Sequence, residues 1–368
     1  MITALVAAHE YGHFLFARLN GMEVEEFSIG LGKPAWIWMR RKGTEYTFRP
    51  LPLGGFVRIK GMVPQEDGSE TEVPNGFYSK SPMARLAVLF AGPLFSVLAG
   101  ILLLTTLFVA VGIPRPAQAP VLGSIVNDSP AFKAGLKEGD LVLKVDGKPV
   151  STWLEMQALV RPHVETPLSM EVSHQGQIRN ITFTPKKSDT PVPLVDAKGD
   201  PVGGDAFVGQ IGVSATIKVE RLPVGDAVKE AFTAPIAMVD GLAGIFKRPS
   251  KFGEEMGGPG TIVVATSDAT KEGPYQVMLL AAGLSISLGI MNLLPIFPLD
   301  GGQMTVAFAE LLRRGKRLSI EIQGAVNTVG FALVGLLIIS VLWIDFRRFV
   351  IPDKSAPPAA SQVTPAKK

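Results

Sequence analysis

Two stretches of this chain, residues 86–112 (LAVLFAGPLFSVLAGILLLTTLFVAVG) and 325–344 (AVNTVGFALVGLLIISVLWI), contain no charged side chain. A helix needs about 20 apolar residues to cross a hydrocarbon core of about 30 Å, so both read as membrane spans. A third run, 277–299 (VMLLAAGLSISLGIMNLLPIFPL), is equally apolar but carries Asn292 and two prolines and leads into Asp300. The first residues, MITALVAAHEYGHFLFARL, make a shorter fourth candidate. A signal peptide is the alternative there, but His9, Glu10 and His13 interrupt its apolar stretch and no small-residue cleavage site follows. Its shortness leaves open a start further upstream.

Four spans put both ends of the chain on one side. Between the third and fourth, Arg313, Arg314, Lys316 and Arg317 place four basic residues in five positions, which predicts a cytoplasmic loop. Residues 20–82 then also face the cytoplasm, while 113–276 and the C-terminal tail lie outside. The expected organisation is a first span at 1–20, a cytoplasmic or membrane-associated β region at 21–82, and a second span at 83–112. An extracytoplasmic domain with its extension follows at 113–222, then an amphipathic helix and connection at 223–276 and a third span at 277–302. A cytoplasmic helix and basic loop at 303–322, a fourth span at 323–346 and a disordered tail at 347–368 complete the chain.

Within the external segment, short β-type runs (LGSIV, DLVLKVDG, LSMEV, NITFTP) alternate with turn signals and one helix-like stretch at 151–161. Residues 188–218, rich in Pro, Gly and Asp, read as an irregular extension. Residues 225–247 space apolar groups at helical intervals, which suits a helix lying on the membrane surface or one packed on the external domain.

The available chemistry is narrow. With no cysteine, thiolate metal sites and thiol nucleophiles are excluded, and a metal must rely on carboxylates and the four histidines, His9, His13, His163 and His174. Thirty-six basic against 33 acidic side chains, net +3, give no sign of a nucleic-acid partner. His9-Glu10-Tyr11-Gly12-His13 is an H-E-x-x-H pattern. On a helix, histidines four apart share a face and can hold one zinc ion, with the intervening glutamate placed to take a proton from water. Zinc requires a third protein ligand and an open position. Leu19 stands where a third histidine six residues after His13 would be. Glu25 and Glu26 follow the first helix directly in a β-prone segment. Asp300 is the better candidate, because an acid beside a membrane core needs a partner such as a metal. Capping of a following helix is its alternative role. His163 and His174 read as surface positions of the external domain.

These pieces together resemble the site-2 protease family of intramembrane zinc metalloproteases, in its bacterial RseP-like branch. H-E-x-x-H lies in the first span, Asn292-Leu-Leu-Pro-Ile-Phe-Pro-Leu-Asp300-Gly in the third, and between spans two and three sits a domain whose order of pieces (Ser129-Pro130-Ala131, Ala134-Gly135-Leu136, Gly139-Asp140, Val145-Asp146-Gly147) is similar to a PDZ domain. Pro52-Leu53-Gly54-Gly55-Phe56-Val57, Ala91-Gly92-Pro93 and Gly257-Gly258-Pro259-Gly260 match further segments of that branch. The chain departs from it in having few residues before His9 and one PDZ-like domain where some members have two.

The resemblance implies a polytopic α-helical membrane protein with about four transmembrane helices, a membrane-associated β-hairpin and one inserted PDZ-like domain. It implies zinc held by His9, His13 and Asp300, Glu10 as general base and acid, Asn292 on the substrate backbone, and Gly54 and Gly55 admitting a peptide to the hairpin. The expected substrates are single-span membrane proteins in the lipid bilayer, such as a pre-cleaved anti-sigma factor or signal-peptide remnants. A peptide or substrate ectodomain would meet the PDZ-like domain. The expected location is the bacterial inner membrane, with the active site near the cytoplasmic side. A membrane metal-ion transporter and an inactive PDZ-containing adaptor are the competing readings.

Overall fold

A computed structural model describes residues 1–63, 69–196, 201–247 and 257–350. The described residues divide into two compact units, one formed by residues 1–110 together with the chain from 222 onward and the other by 111–221. Of the tail expected to be disordered, 347–368, residues 347–350 instead continue the last helix, where apolar side chains prolong the preceding span, and the rest lies outside the described residues.

The first unit begins with α1 (Ile2–Leu19), followed by strands β1 (Val24–Leu31), β2 (Trp36–Arg41), β3 (Thr44–Phe48) and β4 (Leu51–Ile59) and by the long helix α2 (Pro82–Ala110). After the second unit come α5 (Val224–Lys247), α6 (Pro259–Glu272), α7 (Pro274–Asn292), α8 (Asp300–Leu312) and α9 (Ile320–Val350). Among the described residues, three helices are long and apolar enough to cross a membrane: α2, α7 and α9. The first expected span, α1, is an 18-residue helix but falls short on apolar character, because His9, Glu10, His13 and Arg18 lie within it. The apolar side chains of α9 face outward, with Leu336, Ile339 and Trp343 all more than half exposed. That arrangement is costly in water and natural in hydrocarbon.

Small residues set how closely these helices pack, as in membrane bundles generally. A β-carbon on Gly12 of α1 would lie 2.3 Å from the Ala91 carbonyl oxygen of α2, and one on Gly289 of α7 would lie 2.6 Å from that of Pro93. Ser285 of α7 donates to the Ser96 carbonyl of α2 at 2.8 Å. Helix α5 packs on α2 and α7 and buries Ala227 and Ala231 completely. A helix therefore spans the stretch read as amphipathic, but it packs on the helix bundle through these small side chains and not on the external domain.

The expected β-hairpin is a four-stranded mixed sheet of order β2-β3-β1-β4. Strands β2 and β3 do form a hairpin through Lys42 and Gly43, both with positive φ, as a tight two-residue turn requires. Strand β1, however, pairs with β3 in parallel and with β4 in antiparallel fashion. These non-local pairings leave no periodic trace in sequence. The sheet is anchored by Met22, Val24, Ile59 and Phe77 packing with Ala17, Val88 and Leu89 of α1 and α2.

The second unit contains β5 (Ile113–Pro116), β6 (Leu122–Ile125), α3 (Pro130–Lys133), β7 (Leu141–Val145), β8 (Lys148–Pro149), α4 (Trp153–Val160), β9 (Leu168–His174) and β10 (Gln177–Phe183). It continues with β11 (Lys186–Lys187), β12 (Val192–Val195), β13 (Pro201–Ala206), β14 (Gly209–Gln210), β15 (Val213–Ala215) and β16 (Ile217–Glu220). One sheet runs β10-β9-β7-β8, and α4 starts with a reciprocal capping box between Thr152 and Glu155. The described residues of the 188–218 stretch are not an irregular extension. Strand β15 pairs with β6, β16 closes on β5, and Ile211 joins the core of Leu122, Val142, Met156, Leu168 and Val172. Glycine and proline between very short strands hid this return. The two remaining histidines are tied to carboxylates: His174 to the fully buried Asp140 at 2.5 Å and His163 to Asp146 at 2.9 Å.

Candidate metal centre

The site is built on α1, α2 and the turn between α7 and α8. Helical spacing puts His9 and His13 on the inner face of α1, both buried. Helix α2 orients them. The His9 Nδ1 lies 2.9 Å from the Ser96 hydroxyl, and the His13 Nδ1 lies 2.9 Å from the Val88 carbonyl oxygen. A carbonyl oxygen only accepts, so neutral His13 carries its proton on Nδ1 and turns the Nε2 lone pair inward.

The third residue arrives through a break. Helix α7 ends at Asn292, and after the turn at 293–299 helix α8 begins with Asp300. Gly301 and Gly302 permit the tight turn, since β-carbons there would stand 2.3 Å from the Leu294 carbonyl oxygen and 2.6 Å from the Phe297 nitrogen. Asp300 Oδ2 comes to rest 3.2 Å from His9 Nε2 and 3.4 Å from His13 Nε2, and the two Nε2 atoms are 3.2 Å apart.

These three atoms are electron-rich and face one another, and Asp300 Oδ2 is buried without a hydrogen-bond donor among the described residues. Such a cluster needs a cation at its centre. Ligands about 2.0–2.1 Å from a tetrahedral zinc ion stand about 3.3 Å from each other, close to the spacing found here. The second partners on each imidazole Nδ1 are those that orient zinc-binding histidines. The trio therefore fits zinc. Among the described residues it is the one group of three His or carboxylate side chains close enough to share an ion.

The other expected site residues fall around it. Glu10 sits on α1 beside the trio and meets the backbone N–H of Val57 in β4. Gly55 lies under Glu10: a β-carbon there would stand 3.5 Å from Glu10 Cγ and 2.8 Å from the Ser28 carbonyl oxygen. Gly54 faces Leu31 instead, and a β-carbon on it would stand 2.9 Å from Cδ1 of that leucine. Asn292 ends α7, partly buried, and its amide makes no hydrogen bond within the described residues. Glu25 and Glu26 stay away from the trio. Glu25 is exposed, and Glu26 is taken up by Thr47, Arg49 and Arg58 within the sheet. Sequence reasoning missed Ser96, although a hydroxyl in an otherwise apolar span was a signal. It also missed the role of Gly92, where a β-carbon would lie 2.2 Å from His13 Nε2.

A membrane helix bundle with an H-E-x-x-H helix facing a distant aspartate defines a class, and residues 1–337 match Peptidase family M50. The chain belongs to that family and is a peptidase. Zinc metalloprotease RasP of Geobacillus kaustophilus is 29% identical over 425 residues, covering 95% of this chain and 96% of that protein. A Clostridium acetobutylicum relative that also carries a zinc-metalloprotease name is 31% identical over 340 residues, covering 92% of each. The PDZ domain of an SdrC-like protein from Listeria monocytogenes aligns with 26% of this chain and 93% of its own length, at 19% identity and a TM-score of 0.18. That likeness is too low to carry an argument.

Proposed function

We propose that this chain is a zinc-dependent endopeptidase that cuts the spans of membrane proteins, with His9, His13 and Asp300 as the metal ligands and Glu10 as the proton-transfer group. The observation that carries this is the triangle of inward-facing lone pairs, 3.2–3.4 Å on a side, with a carboxylate beside it on the same helix. Bound zinc supplies the Lewis acidity that makes water nucleophilic near neutral pH.

The chain's own residues do the rest. Glu10 accepts a proton at its carboxylate and returns it to the leaving amine. The free amide of Asn292 holds a substrate carbonyl and donates as charge develops on it. Strand β4 is the edge of its sheet, and an unwound substrate segment adds beside it, with Gly55 keeping side-chain bulk away from Glu10. Unwinding is essential, since a helical span hides every amide. The surrounding apolar helices keep bulk water out.

In this reading α1 is a fourth span and the centre lies near the cytoplasmic face, which the basic residues at 313–317 support. The second unit is an extracytoplasmic PDZ-like domain that meets substrate ectodomains. Substrates are single-span proteins already trimmed outside the membrane.

The test is Glu10→Gln in the full chain, purified in detergent. The variant should hold about one zinc per chain, as wild type does, and lose about 10²–10⁴-fold in cleavage of a single-span reporter. Full activity in that variant would sink the assignment. Metal transport unaffected by it would favour an ion transporter, and a metal-free wild-type protein would favour an adaptor.

A further inference from the structure

Away from the metal trio, the first unit buries a second polar cluster. Arg85, in the first turn of α2, and Glu310, near the end of α8, are almost completely buried and meet at 2.5 Å. Glu310 also accepts from the Leu318 backbone N–H at 3.3 Å. In the same turn, Arg317 meets the buried Glu70 at 2.6 Å. Both guanidinium groups lie over the Tyr78 ring, that of Arg85 at 5.2 Å and that of Arg317 at 4.5 Å from its centre.

A buried ion pair seldom stabilises a fold more than apolar side chains of the same volume would, because both charges lose their water. What it supplies is direction. The rest of the α8 packing, through Gly301, Gly302, Val306, Ala307 and Met304, is apolar contact that holds a helix close to its neighbours but orients it less sharply than a paired charge does. Yet α8 carries Asp300 at its first position, and that carboxylate must keep its distances of 3.2 and 3.4 Å to the two imidazole nitrogens to within about 0.2 Å to share a metal with them. Helix α2 is the frame to which everything else is referred. Ser96 orients His9, the Val88 carbonyl orients His13, and Arg85, one turn before Val88, holds Glu310.

We infer that Arg85 and Glu310 are positioning residues of the metal centre: the pair locks α8 along α2 and thereby sets Asp300 against the two histidines. The inference rests on the zinc reading above. Sliding or rotation of α8 moves Asp300 alone, because the histidines are referenced to α2 by their own bonds. Two of the three residues that would hold the metal then stay in place and the third is displaced.

The experiment measures zinc affinity by chelator competition, thermal unfolding of the metal-free protein, and cleavage kinetics, all on the full chain in detergent. The Arg85→Met/Glu310→Leu double variant, which removes both charges, should unfold at about the wild-type temperature. Its zinc Kd should rise about 10–100-fold, as for loss of groups that orient ligands, with kcat reduced and KM for substrate little changed. Native unfolding with a zinc Kd within about twofold of wild type overturns the inference, since the loss expected is 10–100-fold. Should the double variant fail to fold, Arg85→Lys decides instead. It keeps the charge but not the forked geometry, so weakened zinc binding supports the inference and wild-type affinity overturns it. A wild-type protein without zinc, or one whose zinc survives Asp300→Ala, would instead refute the reading of the centre itself.

Discussion

Replacing Gly92 with alanine separates the metal centre from the fold around it. Glycine inside a helix costs about 1 kcal/mol relative to alanine, so on helix propensity alone the change favours α2. The new β-carbon, however, would stand 2.2 Å from His13 Nε2 and 2.4 Å from Cε1, and its three nearest neighbours all belong to that ring. Carbon contacts settle at about 3.5 Å, so the ring must retreat by about 1.3 Å. The retreat stretches or breaks the Nδ1 bond to Val88 and carries Nε2 out of a triangle whose sides are 3.2–3.4 Å. A misplacement of about 1 Å costs about 100-fold in rate, close to 2.7 kcal/mol of transition-state stabilisation. Gly92→Ala should therefore fold normally by circular dichroism, bind zinc about 10–100-fold more weakly, and cleave a single-span reporter in proteoliposomes about 100-fold more slowly. Gly283→Ala, on a helix position where a β-carbon meets nothing within 4 Å, is the matched control and should behave as wild type. Wild-type zinc affinity and turnover in Gly92→Ala would refute the reasoning, because His13 could not then be a ligand in the position described.

Two further outcomes follow from the same geometry. Ser96→Ala removes the hydroxyl beside His9 Nδ1 and should weaken zinc binding about tenfold, measured by chelator competition, with no change in helix content. The sheet should depend on acid through Glu26: burial opposes its ionisation, but hydrogen bonds from Arg49 and Thr47 and the charges of Arg49 and Arg58 prevail and hold its carboxyl below the ordinary 4.5. Because the folded value is depressed, the stabilisation is present above pH 4.5 and is lost as pH falls through the folded value. Protection of backbone amides in residues 24–59, followed by hydrogen exchange, should therefore fall below that pH in wild type and change less in Glu26→Gln. An identical acid profile in both proteins would count against the Glu26 network.

Much of the candidate site is legible in sequence because helical spacing is a local property. His9, Glu10 and His13 are four residues apart at most, and any helix through them sets their relation. Asp300 is reachable by another route, since an acid at the end of an apolar run needs a partner. The Ser96 and Gly92 contributions are not legible that way. Each acts across the α1–α2 contact, and serine or glycine in an apolar helix has several uses. Arg317 shows the same limit from the other side. As one of four clustered basic residues it marks a cytoplasmic loop, yet in the fold it is bonded to the buried Glu70 and stacked on Tyr78.

By itself the sequence determined three apolar helices long enough to span a membrane and the set of side chains able to bind a metal, because hydrophobic run length and residue chemistry are additive along the chain. Only the tertiary structure decided that β1 pairs in parallel with β3, that residues 213–220 return to pair with β6 and β5, and that Asp300 meets His9 and His13 at about the spacing zinc needs. Those outcomes depend on contacts between residues far apart in the chain, selected by how closely small side chains let backbones approach and by where buried polar atoms find partners.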